Sequence, residues 1–509
     1  MTSTIGEIVP EAARRFGKRT ALVIEGRGFS FLELEQESSR MANGLVAAGV
    51  VAGDRIALYG PNCWEWVVAY YAIAKTGAVV IPINVMLTPE EVGFVIEDAG
   101  VRAVVASAEK GAPLLDLRGT ANLSNVILWG QPVDKGANGF EGWRAGGKPN
   151  FAPVHRQPSD LAALCYTSGT TGRPKGAMHN HRAVIGAAIG TCAMAARGPQ
   201  DRIVSALPIS HVYGSCVLNA SVMAGSCLIM IPRFNETAVL EAISEHRATL
   251  MDGVPTAYYY LLAHPDFAKT DLSSLTRCWV GGQTLPAAKS IEFSERTGCP
   301  VHEVWGMTEL AGVASANPII GPNKPGTIGI PYPGNAMRVV DMNDPGKEVP
   351  VGERGELMFG GPLVMQGYYG DSAATAETVE PDGWVHTGDV ATMDEDGYFT
   401  IVDRKKEMIL TAGFNVYPAE IERVLCMHPA VAAAAVGAVP DEAKGELAKA
   451  YVMLKAGTQV TRETLTQHCR THLAAYKIPR ALQFVTELPV TSSGKIMRRL
   501  LSDYDDGSH

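Results

Sequence analysis

The sequence lacks what would direct it to a membrane, a nucleic acid or an oxidising compartment. No apolar run is long and unbroken enough to span a bilayer: the stretch from Trp66 to Leu87 is interrupted by Lys75, Gly77, Pro82 and Asn84, and reads instead as helix, turn and strand in a core. The first residues, MTSTIGEIVPEAARRFGKR, carry no apolar h-region, so no secretory signal is expected. No long basic run occurs, and 44 Lys and Arg against 53 Asp and Glu leave a net charge of −9, which argues against nucleic acid as a partner. Anionic ligands must therefore be held by local donors. The nine cysteines are scattered, odd in number, and form neither a CxxC pair nor a metal-ligand spacing. Small core thiols in a reducing cytoplasm are expected, not a disulfide framework. No internal repeat of fixed period is present.

What is there is a chain of 509 residues, too long for one ordinary core, so two or more domains are expected. Hydrophobic residues at 46% and charged residues at 19% describe a soluble, globular chain. Its first third alternates short β-branched runs (DRIALYG, AVVIPIN, RAVVAS) with helical patterns (FLELEQESSRMANGLVAAG, WVVAYYAIAKTGA), which predicts α/β architecture with parallel sheets covered by helices. Residues 136–158, rich in Gly, Pro and Asn, read as a surface connection, and ALPI (206–209) as strand-like. KPGTIGIPYPG and GERGELMFGGP predict a β-rich, barrel-like subdomain. Towards the C-terminus, Pro418 begins a helix, two alternating segments (AVAAAAVGAVP, AKAYVMLKA) predict strands, and TRETLTQHCRTHL a threonine-capped helix.

The segment carrying the most chemistry is YTSGTTGRPKG, residues 166–176, after the apolar run LAALC. Thr167, Ser168, Thr170 and Thr171 supply hydroxyl donors, and Gly169, Gly172 and Gly176 let backbone N–H groups turn toward one point, a nest for phosphate oxygens. Lys175 adds positive charge. The spacing is not that of a Walker A loop. Further along stand His211 and Tyr213 in SHVYG, a glycine pair in WVGGQTLP, and VWGMTEL; then TGD with Asp389, DRKKE with Arg404 and Lys406, TAGFN, and SSGKIMRR with Lys495. Taken singly, each has an ordinary alternative: His211 as a packed core histidine, Trp305 as core and Glu309 as a helix-start charge, Lys495 as part of a solvated basic patch.

Together these motifs resemble those of the adenylate-forming superfamily of acyl-CoA synthetases, nonribosomal peptide adenylation domains and luciferases, over most of the chain. The resemblance implies a large N-terminal region, residues 1–403, with two parallel-type sheets and the β subdomain; a hinge at 404–406 around Lys406; and a small, mobile α+β C-terminal domain, 407–509. It implies ATP and AMP binding by Thr167, Ser168, Gly169, Thr170, Thr171, Gly172, Lys175, Gly282, Gln283, Trp305, Gly306, Met307, Thr308, Asp389, Arg404 and Lys495. Within this set Lys495, Thr308 and Glu309 are the catalytic candidates, Asp389 accepts from the ribose hydroxyls, and Mg²⁺ falls to Glu309 and Thr170, directly or through water. The acyl group is expected against His211, Tyr213, Val254, Gly281, Gly282 and Trp305, with Gln283 and Met307 nearby, and CoA against Gly413 and Phe414. Three departures from the family pattern stand out: Gln283 where a small residue is usual, Trp305 where tyrosine is commoner, and Ala412 where glycine is frequent.

The implied reaction activates a carboxylic acid with ATP to an acyl adenylate and passes the acyl group to CoA, releasing AMP and pyrophosphate. The candidate acyl pocket includes no Arg or Lys, which disfavours a second substrate carboxylate. A hydrophobic monocarboxylic acid is expected, with medium- to long-chain fatty acids favoured and aryl acids such as benzoate, cinnamate or ferulate as the alternative. A stand-alone adenylation enzyme loading a carrier protein, a luciferase-like oxygenase and a non-enzymatic binding protein are the rival readings. The resemblance leaves a homodimer open, and Lys495 lies in a sequence similar to sites modified by lysine acetyltransferases.

Overall fold

The computed structural model describes residues 2–117, 122–130, 138–167, 174–411, 414–441, 445–491 and 494–504. Strand–helix alternation produces two large sheets. The first has nine strands; its path runs Ile330–Pro331, Gly312–Ala316, Val301–Met307, Arg277–Val280, Leu250–Gly253, Arg202–Ser205, Cys227–Met230, Thr20–Ile24, Arg27–Ser30. From Val301–Met307 to Thr20–Ile24 every pairing is parallel, and the two ends are antiparallel. The second sheet has seven strands, parallel from Asn138–Gly139 to Leu161–Thr167, with Lys175–Asn180 added antiparallel at its edge. Fully buried parallel strands account for the β-branched, nearly continuous apolar runs.

The helices form where the pattern places them, and local caps fix their starts. Phe31–Ala47 follows Ser30, whose hydroxyl accepts from Glu33 N while Glu33 Oε2 accepts from Ser30 N at 2.7 Å; such a cap contributes about 1 kcal/mol. Trp64–Lys75 is buried on nearly every side, with Trp66, Tyr71 and Ile73 in the main core.

Three expectations need correction. Residues 136–158 are not a bare connection, since helix Phe140–Gly146 buries Phe140 and packs Trp143 against the core. ALPI lies beyond the strand Arg202–Ser205: Asn62 intercepts its backbone, donating to Leu207 O at 2.9 Å and accepting from Ile209 N at 2.9 Å, and Pro208 offers no N–H to a ladder. The β subdomain is a four-stranded antiparallel sheet, Ala336–Val340, Gly355–Gly360, Trp384–Met393, Phe399–Arg404, whose last strand is met by Gly329 through an isolated antiparallel bridge; these strands do not themselves close into the barrel-like form expected.

A turn at 405–407 leads into a smaller α+β unit. Its sheet orders Phe414–Val416, Ile409–Thr411, Gly445–Leu454 and Val431–Asp441, with Ala481–Phe484 parallel to Gly445–Leu454. Helices Pro418–Met427 and Arg462–His472 cover it, the latter capped by Thr461. This unit is fastened to the larger one by Lys289 Nζ donating to Val431 O at 2.6 Å and by the Lys455–Glu292 ion pair at 2.6 Å. Among the described residues no helix is long and apolar enough to cross a membrane. All nine cysteines are free thiols, six of them buried.

Candidate active site

In open parallel sheets, ligands sit beyond the carboxyl ends of the strands. Four neighbouring strands of the nine-stranded sheet deliver candidates there: Arg202–Ser205 leads to His211, Leu250–Gly253 to Val254, Arg277–Val280 to Gly281, Gly282 and Gln283, and Val301–Met307 ends in Trp305, Gly306 and Met307 before Thr308 and Glu309. The last strand turns back tightly into Gly312–Ala316. Gly306 permits this, because a Cβ there would stand 1.8 Å from Gly312 O. Ala311 closes the turn with φ +57°, a left-handed conformation that non-glycine residues seldom adopt, immediately after the Thr308–Leu310 3₁₀ turn.

A cleft between the two units is lined by Gly282, Gln283, Trp305, Gly306, Asp389, Arg404 and Lys495, seven of the residues expected to bind nucleotide. At its floor Asp389, 2% exposed, has both carboxylate oxygens engaged. Trp305 Nε1 donates to Oδ2 at 2.8 Å, and Arg404 Nε reaches Oδ1 at 2.7 Å. The two remaining lone-pair directions of that carboxylate are what a pair of ribose hydroxyls could use.

Lys495 faces Arg404 across the cleft. Burial, then the Arg404 guanidinium, push its ammonium below the ordinary value, against the pull of Glu407 and Asp389. Among the described residues no carboxylate lies within ion-pair distance of Lys495 Nζ. Two cations so placed suit an anionic ligand. His211 caps helix Val212–Ala224, its Nδ1 accepting from Tyr213 N at 3.2 Å. Although His211 stays solvent-accessible, the surrounding protein and then the Lys495 ammonium push its imidazole down to about 4, so it is neutral at pH 7.

Thr308 and Glu309 are held from the opposite side by residues whose importance the sequence did not announce. His179, on Lys175–Asn180, donates from Nε2 to Thr308 O at 2.6 Å; burial pushes its imidazole down to about 4, so it stays a neutral donor. Tyr368 OH donates to Glu309 Oε1 at 2.7 Å, and Lys175 Nζ lies 5.5 Å from the Tyr368 ring centroid and 4.0 Å from Asp371. Tyr368 thus joins Lys175, which closes the hydroxyl-rich string, to Glu309. Thr167 pairs with Lys175 across the ladder. Ser168, Gly169, Thr170, Thr171, Gly172, Ala412 and Gly413 lie outside the described residues.

The acyl candidates divide. Tyr213 is buried, and Gly281 backs onto both Val304 and the Tyr213 ring. Val254 and Gly282 instead adjoin each other beside Gly494, under the Lys495 segment. Phe414 is 54% exposed and stacks on Tyr476, with ring centroids 4.7 Å apart, away from the cleft. Lys406 is exposed on the 405–407 turn.

A tryptophan and an arginine trained on one buried carboxylate, with the Lys495 ammonium facing them across the cleft, form a site suited to an anionic ligand that also carries hydroxyl groups. The chain belongs to the AMP-binding enzyme family, the adenylate-forming group its motifs resemble: that family matches residues 9–369, and the AMP-binding enzyme C-terminal domain matches residues 420–495. The chain is similar to a long-chain-fatty-acid–CoA ligase of Bacillus subtilis (strain 168), 34% identical over 99% of this chain and 95% of that one. It is similar to a feruloyl-CoA synthase of an Amycolatopsis species, 36% identical over 96% of each. Among solved structures, an anthranilate CoA ligase in complex with anthranoyl-AMP superposes with a TM-score of 0.92 at 29% identity, covering 99% of both chains.

Proposed function

We propose that the protein is an AMP-forming acyl-CoA synthetase that activates a hydrophobic monocarboxylic acid, a medium- to long-chain fatty acid being favoured. The observation that carries this reading is the meeting of Lys495, from the C-terminal unit, with Arg404, Asp389 and Trp305 in one cleft. In the first step the substrate carboxylate attacks the α-phosphorus of ATP; the bond to pyrophosphate breaks and an acyl adenylate forms. Negative charge grows on the α-phosphate oxygens, and Lys495 and Thr308 are the donors suited to meet it. Asp389, steered by Trp305 and Arg404, holds the ribose, and Lys175 with the hydroxyls of the 166–176 segment attends the departing pyrophosphate.

Glu309 suits Mg²⁺. Among the described residues no cluster of three or more His, Cys, Asp or Glu is placed to hold a metal, and a single carboxylate completed by phosphate oxygens is the usual arrangement for this ion. Tyr368 fixes one Glu309 oxygen and leaves the other to accept the ion, which when bound would neutralise phosphate charge.

In the second step the CoA thiol attacks the adenylate carbonyl and AMP leaves. Lys495 occupies the cleft, so this step calls for the C-terminal domain, residues 407–509, to turn about Lys406 and bring Phe414 and Gly413 inward. The exposure of Phe414 in the present arrangement fits such a role. A reducing, cytoplasmic setting agrees with nine free thiols. Acetylation of Lys495 by a lysine acetyltransferase would remove the charge on which the first step depends; a homodimer is the remaining partner reading, and solution mass measures it.

An aryl acid is the second substrate reading, favoured by similarity to the feruloyl and anthranilate enzymes. Pyrophosphate release with Mg·ATP across acids from C4 to C16, benzoate, cinnamate and ferulate decides between them. Rates that climb with chain length, at ~0.8 kcal/mol per buried methylene, support the fatty-acid reading. A maximum on the aryl acids replaces it, and silence on every acid refutes both.

A further inference from the structure

The glycine-pair segment was expected to face nucleotide and acyl group, yet the side chain that departs from the family pattern there grips the other unit of the protein. Gln283 Oε1 accepts from Ile496 N at 2.8 Å, and Gln283 Nε2 donates to Ile496 O at 3.4 Å. One amide thus takes both backbone groups of the residue following Lys495. Beside it, Thr256 Oγ1 donates to Gly494 O at 2.8 Å, securing the residue that precedes Lys495. Gly494 has φ +76°, and a Cβ there would meet Val254 Cγ2 at 2.6 Å, so only glycine lets the segment lie this close. Small residues at 256 and 283 would leave these backbone groups to water.

The other anchor of the segment lies mainly within its own unit, and only its 3.5 Å contact with Asp403 reaches the large region. Arg498 Nε and Nη2 donate to Glu422 at 3.1 and 2.8 Å, a bidentate pair within the C-terminal unit, and Nη1 reaches Glu407 and Asp403 at the hinge. A turn about 404–406 leaves the Glu422 pair intact. It breaks every bond made by Gln283 and Thr256.

We propose that Gln283 and Thr256 are positioning residues, a latch that holds the Lys495 segment in the cleft for adenylate formation and releases it for thioester formation. The proposal rests on the synthetase reading, and its main readout, proteolysis, needs no turnover. Trypsin attacks only the undocked segment, so cleavage after Lys495 tracks the population of the released form. In full-length protein without substrate, Gln283→Ala is expected to speed that cleavage by about tenfold, the effect of losing two hydrogen bonds. Cleavage after Lys269, in an exposed turn, should stay at the wild-type rate. Gln283→Glu keeps the acceptor and should fall between; Thr256→Ser keeps the hydroxyl and should match wild type. Unchanged cleavage after Lys495 overturns the latch, as does a parallel rise at both positions, which reports loosening of the whole fold. A raised KM for ATP without faster cleavage assigns Gln283 to nucleotide binding and also overturns it. A wild-type enzyme that activates no acid defeats the synthetase reading without touching the cleavage result.

Discussion

Replacing Trp305 with phenylalanine removes one atom that matters, the indole Nε1 that donates to Asp389 Oδ2 at 2.8 Å. Asp389 is 2% exposed, so water cannot readily substitute. A hydrogen bond to a charged group contributes about 1.5–3 kcal/mol. Arg404 still tethers Oδ1 at 2.7 Å, which limits the damage to the lower half of that range. The carboxylate then turns about its remaining tether, and if it serves the ribose, AMP and ATP bind about tenfold more weakly, at 1.4 kcal/mol per factor of ten. Titration calorimetry with AMP measures this free of chemistry, and pyrophosphate binding serves as control because it has no ribose. An AMP affinity equal to wild type, or an equal loss for pyrophosphate, refutes the argument that Trp305 acts through Asp389.

Other perturbations read other parts of the site. Lys495→Ala should slow adenylation by about 10²–10³, the cost of losing one transition-state donor, while sparing thioester formation from supplied acyl adenylate; equal losses in the two half-reactions contradict that role. Tyr368→Phe leaves one Glu309 oxygen without its donor and should raise the Mg²⁺ concentration for half-maximal rate by about tenfold, in line with loss of a partner behind a metal ligand; an unchanged Mg²⁺ dependence removes Glu309 from metal binding. Glu303, 3% exposed and accepting from Gly326 N, has its carboxyl pushed up to about 8 by burial, from 4.5. The folded state therefore holds a proton that the unfolded state has released, so this stabilisation is complete below pH 4.5 and is lost as pH rises to about 8. Thermal melts of Glu303→Gln across that interval should show a shallower decline than wild type, and identical slopes would contradict the assignment.

Part of the candidate cleft was legible because the residues that line it stand in short, local strings. YTSGTTGRPKG, WGMTE and TGD each combine residue types that few ordinary loops need together, and Asp389, Arg404, Trp305 and Lys495 do meet in one cleft. The alternation of β-branched runs with amphipathic segments likewise announced parallel sheets, because buried strands and surface helices impose different periods. What stayed hidden is contact between distant parts of the chain. Tyr368 and Glu309 are 59 residues apart, His179 and Thr308 129, Gln283 and Ile496 213, and no local period reports such pairings. Tyr368 in QGYYG had no motif around it, and Gln283 was visible only as a departure from the usual small residue. ALPI had strand composition but lost its ladder to Asn62, a competitor more than 140 residues away.

The central claim is that this chain makes acyl adenylate and then acyl-CoA. Mass spectrometry of the products formed from the best acid, Mg·ATP and protein, with and without CoA, tests it most directly. The account predicts AMP, pyrophosphate and acyl-CoA when CoA is present, and enzyme-bound acyl adenylate with an equivalent of pyrophosphate but no thioester when it is absent. Adenylate that accumulates in both samples with no thioester would contradict it and point to a carrier protein as the acceptor.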